Sequence, residues 1–594
     1  MFKLPRKIID DITRYRESFQ KFLSGELKDA FFKGIRVPWG SYSQRKGKHL
    51  MTRLRIPAGI LTPEQLRAVG QAAKDFADGK VHITTRLDLQ IHNVPWENPL
   101  KIVDYLVNYN LTSRGCGGNT VRGITSCYLS GICPLENIEV YQLVFGLTEY
   151  LLAIDDAYNL PRKFKIAFSG CRDDCGFTGV NDLGFIAVGK GFKVLCGGGM
   201  GAKSAVGKIL HEEITPDEVG YVTKAVMNVF NKYGDRKNRH HNRLRFLIED
   251  LGWEKFVELY QQEIVRTKEE EHIVLRIENG LPALPAVEGK LEIEPFGDLA
   301  YQAFLKYNVG KQKQEGYYYI KLRIPFGEIS AEELISLSEL SSSLPHLIFR
   351  TTPRQNLVIT NVPAHKINFV YEKVKQILVD FIFPDTVLDV VSCKAASTCN
   401  LGICNAIALA PTIVEKLKTA ELDLDKYRDV KININGCPNA CGQHPVGTLS
   451  FAGMAKKVYG HTVPFYRVFV GGKVAAKNTK LAEEMGVVPA RVVPDLVVEY
   501  FKGTPLPELV KKYAQVPAYE ENRSYYVDWG QTADFSLEGI GQGECGAGVI
   551  DMIESDLNSA KQSLAKAKDK DFDLEEIKDA LVYAARSLLV VKGI

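Results

Sequence analysis

Of the twelve cysteines in the chain, eight fall into two quartets of equal spacing. Cys437 and Cys441 share the turn from Asn435 to His444, whose glycines, proline and asparagines carry little side-chain bulk, and Cys393 and Cys399 precede them. Thiolates on so lean a turn can converge on an iron-sulfur cubane. Structural zinc is the other reading. Its ligand pairs are usually two to four residues apart, whereas five residues separate Cys393 from Cys399. Cys127, Cys133, Cys171 and Cys175 each lie 266 positions before a member of that set. They are either a second set of ligands or buried core thiols.

Basic residues are concentrated in the first half of the chain. Arg53 and Arg55 alternate along one expected strand and so share a face. Arg86 stands at a strand start, Arg122 just before Cys127, and Lys163 and Lys165 alternate again. Like charges on one face repel unless an anion joins them, which points to a polyanionic ligand or substrate. The plainer reading of any one lysine pair is a solvated strand face.

The elements that carry these residues occur twice. Thr52-Arg-Leu-Arg-Ile-Pro57 returns as Lys321-Leu-Arg-Ile-Pro325, and each is followed by an expected helix opened by a cap signal, Thr62-Pro63-Glu64 in the first copy. Ile83-Thr84-Thr85-Arg86 is matched by Arg350-Thr351-Thr352-Pro353-Arg354. Arg55 and Arg323 are 268 positions apart, as are Arg86 and Arg354. The body is therefore a duplicated unit, over about residues 46 to 275 and 310 to 515, with sites expected where its halves meet. Ile8, Ile9, Ile12, Phe19 and Phe22 form a helical lead-in. Ile550, Ile553, Leu557, Ala560 and Leu564, then Leu574, Ile577, Leu581, Ala584 and Leu588, form two apolar stripes expected in a C-terminal helical hairpin.

At 594 residues, the chain predicts several domains. A net charge of +4 from 75 basic and 71 acidic residues gives no global signal for nucleic acid or a membrane surface. The cysteines are too sparse for a disulfide scaffold and too regular for chance, which favours metal ligation in a reducing compartment. No apolar run approaches a spanning helix and the charged N-terminus lacks a signal core, so the expectation is a cytoplasmic protein.

Taken in order, Met-Thr-Arg-Leu-Arg-Ile-Pro-Ala-Gly from Met51, Ile-Thr-Thr-Arg from Ile83, Asn119-Thr120-Val121-Arg122, Pro-Arg-Lys-Phe-Lys from Pro161, Asn181-Asp182-Leu183-Gly184, the run Gly197-Gly198-Gly199-Met200-Gly201 and the Cys437/Cys441 turn resemble the sirohaem-containing sulfite and nitrite reductases. The resemblance implies a mixed α+β fold with a pseudo-twofold axis. The implied organisation is a lead-in (1–45), a ferredoxin-like half-domain (46–110), a first sirohaem/Fe-S domain (111–275), a linker (276–309), a second half-domain (310–375), a second sirohaem/Fe-S domain (376–515) and a C-terminal extension (516–594).

It also implies sirohaem coupled to a [4Fe-4S] cluster on Cys393, Cys399, Cys437 and Cys441, with Cys441 bridging to the sirohaem iron. Arg55, Arg122, Lys163 and Lys165 would bind the substrate oxyanion. Arg53, Arg86, Gln90 and the glycines Gly197, Gly198, Gly199 and Gly201 would hold the macrocycle and its carboxylates. Guanidinium groups suit carboxylates bidentately, and bare glycines let backbone approach a flat ring.

The implied reaction is six-electron reduction of sulfite to sulfide, with nitrite reduction to ammonium as the alternative. Nitrite reductases of this family tend to carry asparagine at the second lysine of the Lys-x-Lys pair. Lys165 therefore favours sulfite, whose greater charge gains more from a second ammonium. No convincing nucleotide site occurs, since Gly541-Gln-Gly-Glu-Cys-Gly546 lacks its flanking strand, so electrons are expected from a ferredoxin or flavoprotein partner. Around the first quartet the mirrored cations are depleted. Lys163 is matched by Asp429 and Arg122 falls among Leu388, Asp389 and Val390, so a second substrate site is not expected; Cys127, Cys133, Cys171 and Cys175 are expected to hold a second [4Fe-4S] cluster, as an electron relay, or to accompany an inactive tetrapyrrole. Cys116, Cys196, Cys404 and Cys545 read as structural. A rival from another class is a two-cluster electron-transfer protein without sirohaem, which would have no use for the four clustered cations.

Overall fold

In the strand Leu50–Leu54, Leu50, Thr52 and Leu54 are fully buried while Met51 and Arg53 occupy the other face. That period of two is what places Arg53 and the next residue of its face, Arg55, together. The strand sits in a five-stranded antiparallel sheet with Ser41–Ser43, Leu89–Val94 and Lys80–Ile83, and its counterpart Tyr317–Leu322 sits in a second sheet with Val309–Lys311, Leu357–Pro363 and Ile348–Thr351. The structure is a computed structural model, which describes all residues except 1, 239–240, 276–279, 294–296, 476–477, 542–543, 545–548, 570–571 and 593–594. Cys545 and much of the Gly541–Gly546 stretch therefore lie outside the described residues.

Each sheet is completed by the other half of the chain. Glu328–Ser330 pairs with Lys80–Ile83, and Ile60–Leu61 pairs with Ile348–Thr351. The same turn directs both exchanges: Ala58 and Gly59 have φ of 54° and 71°, and Phe326 and Gly327 have φ of 58° and 74°. A side chain added at Gly59 would come within 2.7 Å of Thr351 Oγ1, so glycine is required there by contact as well as by conformation. Helices follow both turns, over Pro63–Phe76 and Ala331–Ser338, and each opens with a capping box, Thr62 with Gln65 and Ser330 with Glu333. Leu54, Val69 and Ile91 share one apolar core with Ile320, Leu334 and Phe349, so the two half-domains are a single folded body.

Two mixed sheets flank this body. The first runs Lys208–Ile214, Gly191–Cys196, Leu183–Val188, Ile166–Ser169 and Thr125–Ser126; the second runs Val391–Ser392, Ile432–Asn435, Leu449–Val458, His461–Val470 and Glu483–Pro489. In each, the three strands nearest the cysteines are parallel. Adjacent parallel strands end at one edge, and the cysteines follow those ends.

The lead-in forms two helices, Arg6–Leu23 and Asp29–Arg36, with Ile8, Ile12, Tyr15 and Phe19 buried. Ile9 falls off that face and is 51% exposed. At the other end Val549–Asp569 and Leu574–Lys592 form the hairpin. Of its expected stripes Leu557, Leu564, Leu574 and Leu581 are exposed, Ala560, Ile577 and Ala584 are half-buried, and the side chains of Ile550, Ile553 and Leu588 lie outside the described residues. Polar pairs tie the hairpin to the first half, Arg266 with Glu576 at 2.9 Å, Lys566 with Glu270 at 3.0 Å and Lys232 with Asp579 at 3.5 Å. The segment before it is irregular and packs on the second half, where the Trp529 indole donates to Ala490 O and Asp528 accepts from the Asn405 amide. Among the described residues no helix is long and apolar enough to cross a membrane.

Candidate active site

The turn that carries Cys441 is docked directly against the first half. Thr85 Oγ1 donates to Cys441 O at 2.8 Å, and Gln443 Nε2 donates back to Thr85 O at 3.0 Å. The next residue, Arg86, reaches Asn181 Oδ1 at 2.7 Å and Gly123 O at 2.8 Å. Within the turn, Gly442 is close enough to the Ile434 carbonyl that an added Cβ would lie 2.7 Å from its oxygen. Cys393 receives the Gly436 amide on its sulfur, and Cys399 receives that of Leu401. Cys393 feels the charges of Cys441, Cys437 and Cys399, so the four thiols meet at one place. Burial is the leading cause that pushes the Cys437 thiol up to about 12, which is where an uncompensated buried thiol should sit. Among the described residues no three such side chains close on a single ion, and a cubane spreads its thiolates wider than one ion does.

The cations converge opposite. Arg55 donates to Val121 O at 2.8 Å and Arg122 O at 3.2 Å, and Arg122 donates to Gly118 O at 2.8 Å and Cys116 O at 3.0 Å. Val121 bridges to Phe164, which places Lys163 and Lys165 on the neighbouring segment. With its amide oxygen turned toward Arg53, Gln90 accepts from Nη2 at 2.7 Å and Nε at 3.0 Å. These guanidinium groups are largely held by carbonyls and amides rather than by carboxylates. The Nε atoms of Arg55, Arg86 and Arg122 are buried without a hydrogen-bond partner, as are those of Arg323 and Arg354 in the other half; what distinguishes the first group is its shortage of paired carboxylates, which leaves buried positive charge for an anion to meet.

Two arginines were not singled out from the sequence. Arg243 and Arg245 flank the start of the helix Leu244–Leu251, the end of a helix dipole that disfavours positive charge. Arg243 is held by Asp182, at 2.7 and 2.9 Å from Nη2, in a pair that is almost wholly enclosed. Arg245 has Nε and Nη1 buried without a partner. It lies over the glycine run, where a Cβ on Gly199 would come 2.8 Å from Arg245 Nη1. On Gly198 a Cβ would meet the Asn181 and Gly179 carbonyls at 2.6 Å. The sequence signal was an Arg-x-Arg pair at a helix start, unfavourable unless an anion binds there. Asp88 also went unremarked, though it is the buried carboxylate nearest Arg53, Arg55 and Arg86; burial raises its pKa and those arginines oppose the rise.

The electrostatics follow from this imbalance. Burial, then the Arg122 and Arg243 charges, bring Arg86 down to about 10 against the pull of Asp88 and Asp182. Burial brings Arg245 to about 10 as well, with Arg243 adding to the effect. Lys165 is held well below the ordinary lysine range, first by burial and then by Arg86, Lys163 and Arg243, with Asp182 opposing. The mirrored positions are neutralised instead: Arg323 pairs with Asp380 at 2.7 Å, Arg354 with Asp389 at 3.1 Å, and Lys321 with Asp385. Cys116, Cys196 and Cys404 are fully buried and belong to neither quartet.

The description "Nitrite and sulphite reductase 4Fe-4S domain" matches residues 117–268 and 384–514, and "Nitrite/Sulfite reductase ferredoxin-like half domain" matches 42–109 and 310–377. The chain belongs to the nitrite and sulfite reductase family. Its cofactors are sirohaem and a [4Fe-4S] cluster. The orphaned guanidinium donors, the glycine cradle and the converging thiols fit both. The chain is 29% identical over 508 residues to the ferredoxin–nitrite reductase of Synechococcus elongatus, covering 83% of this chain and 94% of that one. It is 26% identical over 525 residues to the assimilatory ferredoxin-dependent nitrite reductase of Haloferax mediterranei, covering 82% and 85%. The fold is shared with the Mycobacterium tuberculosis NirA protein, at a TM-score of 0.70 and 22% identity, over 84% of this chain and 93% of that one.

Proposed function

We propose that this family member reduces nitrite to ammonium with electrons from a ferredoxin. The reading is carried by the buried, carboxylate-poor cations of the first half lying against the Cys441 turn, and it is supported by the ferredoxin-dependent nitrite reductases to which the chain is similar. Cys393, Cys399, Cys437 and Cys441 would hold the cluster, and Arg53, Arg86, Gln90, Arg245 and the glycines Gly197 to Gly201 would hold the macrocycle and its carboxylates. When bound, these groups supply the electron chemistry.

The chain's own part is electrostatic. Arg55, Arg122 and Lys163 bind the oxyanion and keep its charge neutralised as electrons arrive. Lys165 Nζ, whose ammonium is made more acidic by burial and by its cationic neighbours, passes a proton to an oxygen that leaves as water. The low-dielectric surroundings strengthen each contact relative to water.

Sulfite reduction is the second reading, favoured by one feature: Lys165 supplies a second ammonium where an anion of higher charge gains most. Steady-state turnover of nitrite and sulfite with reduced ferredoxin and with a dye donor tests both. A larger kcat/KM for nitrite is expected, and a preference for sulfite would replace the first reading with the second. A visible spectrum without tetrapyrrole bands would sink both.

A further inference from the structure

The site described above leaves Cys127, Cys133, Cys171 and Cys175 without a role, yet the fold delivers them as it delivers the catalytic quartet. Thr125–Ser126 and Ile166–Ser169 are adjacent parallel strands whose ends lead to Cys127 and Cys171, as Val391–Ser392 and Ile432–Asn435 lead to Cys393 and Cys437. The Cys127 amide donates to Phe168 O at 3.1 Å and the Cys393 amide to Ile434 O at 3.2 Å; Cys133 and Cys399 each donate, at 2.9 Å, to the carbonyl four residues earlier.

The turns agree residue by residue. Asp174 and Ala440 have φ of 51° and 57°, and Phe177 and Gln443 have φ of 60° and 61°. Gly176 follows Cys175 as Gly442 follows Cys441, and a Cβ there would lie 2.0 Å from Phe168 O. All four first-half cysteines are free. The Cys127 and Cys175 thiols are in hydrogen-bond contact, and Cys133 and Cys171 lie close enough to feel the Cys175 charge.

What the first quartet lacks is a place for a macrocycle. Lys321, Arg323 and Arg354, the counterparts of Arg53, Arg55 and Arg86, are tied to Asp385, Asp380 and Asp389. The Lys321 ammonium lies over the Tyr128 ring at 5.1 Å. Gly199, which bridges to Ala205, has as its mirror Lys473, which bridges to Lys480 and carries a side chain where the cradle has none. The two turns nevertheless share one apolar cluster. Phe177, two residues after Cys175, packs against the cluster of Val180, Met200, Ala440, Val446 and Val474, in which Ala440 immediately precedes Cys441.

We propose that Cys127, Cys133, Cys171 and Cys175 hold a second [4Fe-4S] cluster that carries no tetrapyrrole and relays electrons to the Cys441 cluster. A reduced low-potential iron-sulfur donor loses one electron to the first-half cluster, which then passes it across the apolar cluster that Phe177 and Ala440 share. The relay rests on the reductase reading; the cluster itself does not.

Anaerobic purification followed by iron and acid-labile sulfide assays tests the site. The expected result is about eight cluster irons per chain beyond any sirohaem iron, falling to about four in Cys133→Ser. About four in the wild type, zinc in place of iron, or a Cys127–Cys175 disulfide in the mass spectrum would each overturn it. Freeze-quenched electron paramagnetic resonance after mixing with reduced ferredoxin tests the relay. Slower reduction of the Cys441 cluster in Cys133→Ser supports it, and an unchanged rate removes it. Eight cluster irons without turnover of either anion would keep the second cluster and sink the reductase proposal.

Discussion

Replacing Asp182 by asparagine tests whether the first-half cations are held ready for an anion that is not part of the chain. Asp182 is fully buried, binds Arg243 through both oxygens and accepts the Lys165 amide at 2.9 Å. Its charge also opposes the combined repulsion felt by Arg86, Lys165 and Arg245. Asparagine keeps the shape and one acceptor but removes the charge, leaving Arg243 enclosed without a counterion. Breaking a buried pair from one side costs about 3–5 kcal/mol.

That loss is read where it occurs, by hydrogen exchange of the helix Leu244–Leu251 and the strand Leu183–Val188. For the cofactor-free chain, exchange there should quicken by roughly two to three and a half orders of magnitude, since each tenfold corresponds to about 1.4 kcal/mol. If Arg245 and its neighbours hold the macrocycle's carboxylates as proposed, sirohaem loading would restore negative charge there, and the effect should be markedly smaller. The mirror position supports the logic. Thr448 accepts the Lys431 amide at 3.1 Å as Asp182 accepts that of Lys165, so the backbone role needs no charge. Equal acceleration with and without sirohaem, or none in either, would refute the idea that these cations await a polyanion.

Lys165→Asn should lower kcat/KM for sulfite more than for nitrite, because the lost ammonium interacts in proportion to anion charge; an unchanged ratio in steady-state assays would remove Lys165 from the selectivity argument. If Lys165 donates a proton, turnover should fall as pH rises through its lowered pKa, and Lys165→Arg should move that alkaline limb upward in a pH–rate profile. Gly199→Ala should abolish sirohaem retention, measured by absorbance after gel filtration, because the added methyl meets Arg245. Glu328→Gln should weaken the exchanged strand near neutral pH. Burial raises the Glu328 pKa, but His82 at 2.5 Å and Lys394 outweigh it and bring it from 4.5 to about 2. Its contribution, at most about 3 kcal/mol, is present above the unfolded pKa and lost as pH falls toward 2, so wild type and variant should converge in acid unfolding titrations.

Much of this was legible because the chain states it twice. The strand, turn and capped helix around Arg55 and Arg323, and both cysteine quartets, follow from repeat spacing and turn chemistry alone. The strand exchange was not legible. Ile60–Leu61 and Glu328–Ser330 are too short to carry an alternating pattern, and their partners are chosen by where the left-handed turns aim them. The tail was legible only in part. Helical spacing says which residues share a face, not which face docks, and in the last hairpin Leu557, Leu564, Leu574 and Leu581 are exposed while ion pairs reach Arg266, Lys232 and Glu270. For Arg243 and Arg245 the one local signal is an Arg-x-Arg pair at a helix start, and it says nothing of function until an anion is known to bind there.

The two halves therefore differ little in backbone and greatly in counterions. In the second half, Asp380, Asp385 and Asp389 stand beside Arg323, Lys321 and Arg354, so each guanidinium or ammonium is neutralised within the chain. An incoming carboxylate or oxyanion there would have to displace an aspartate from each pair, which costs most at Arg354, where Asp389 is buried and would be left unpaired. In the first half, Asp88 and Asp182 are too few for Arg53, Arg55, Arg86, Arg122, Lys165, Arg243 and Arg245, and the cations repel one another. Duplication accounts for two places where four thiols converge; the placement of a few aspartates decides which of them faces a site that can receive an anion.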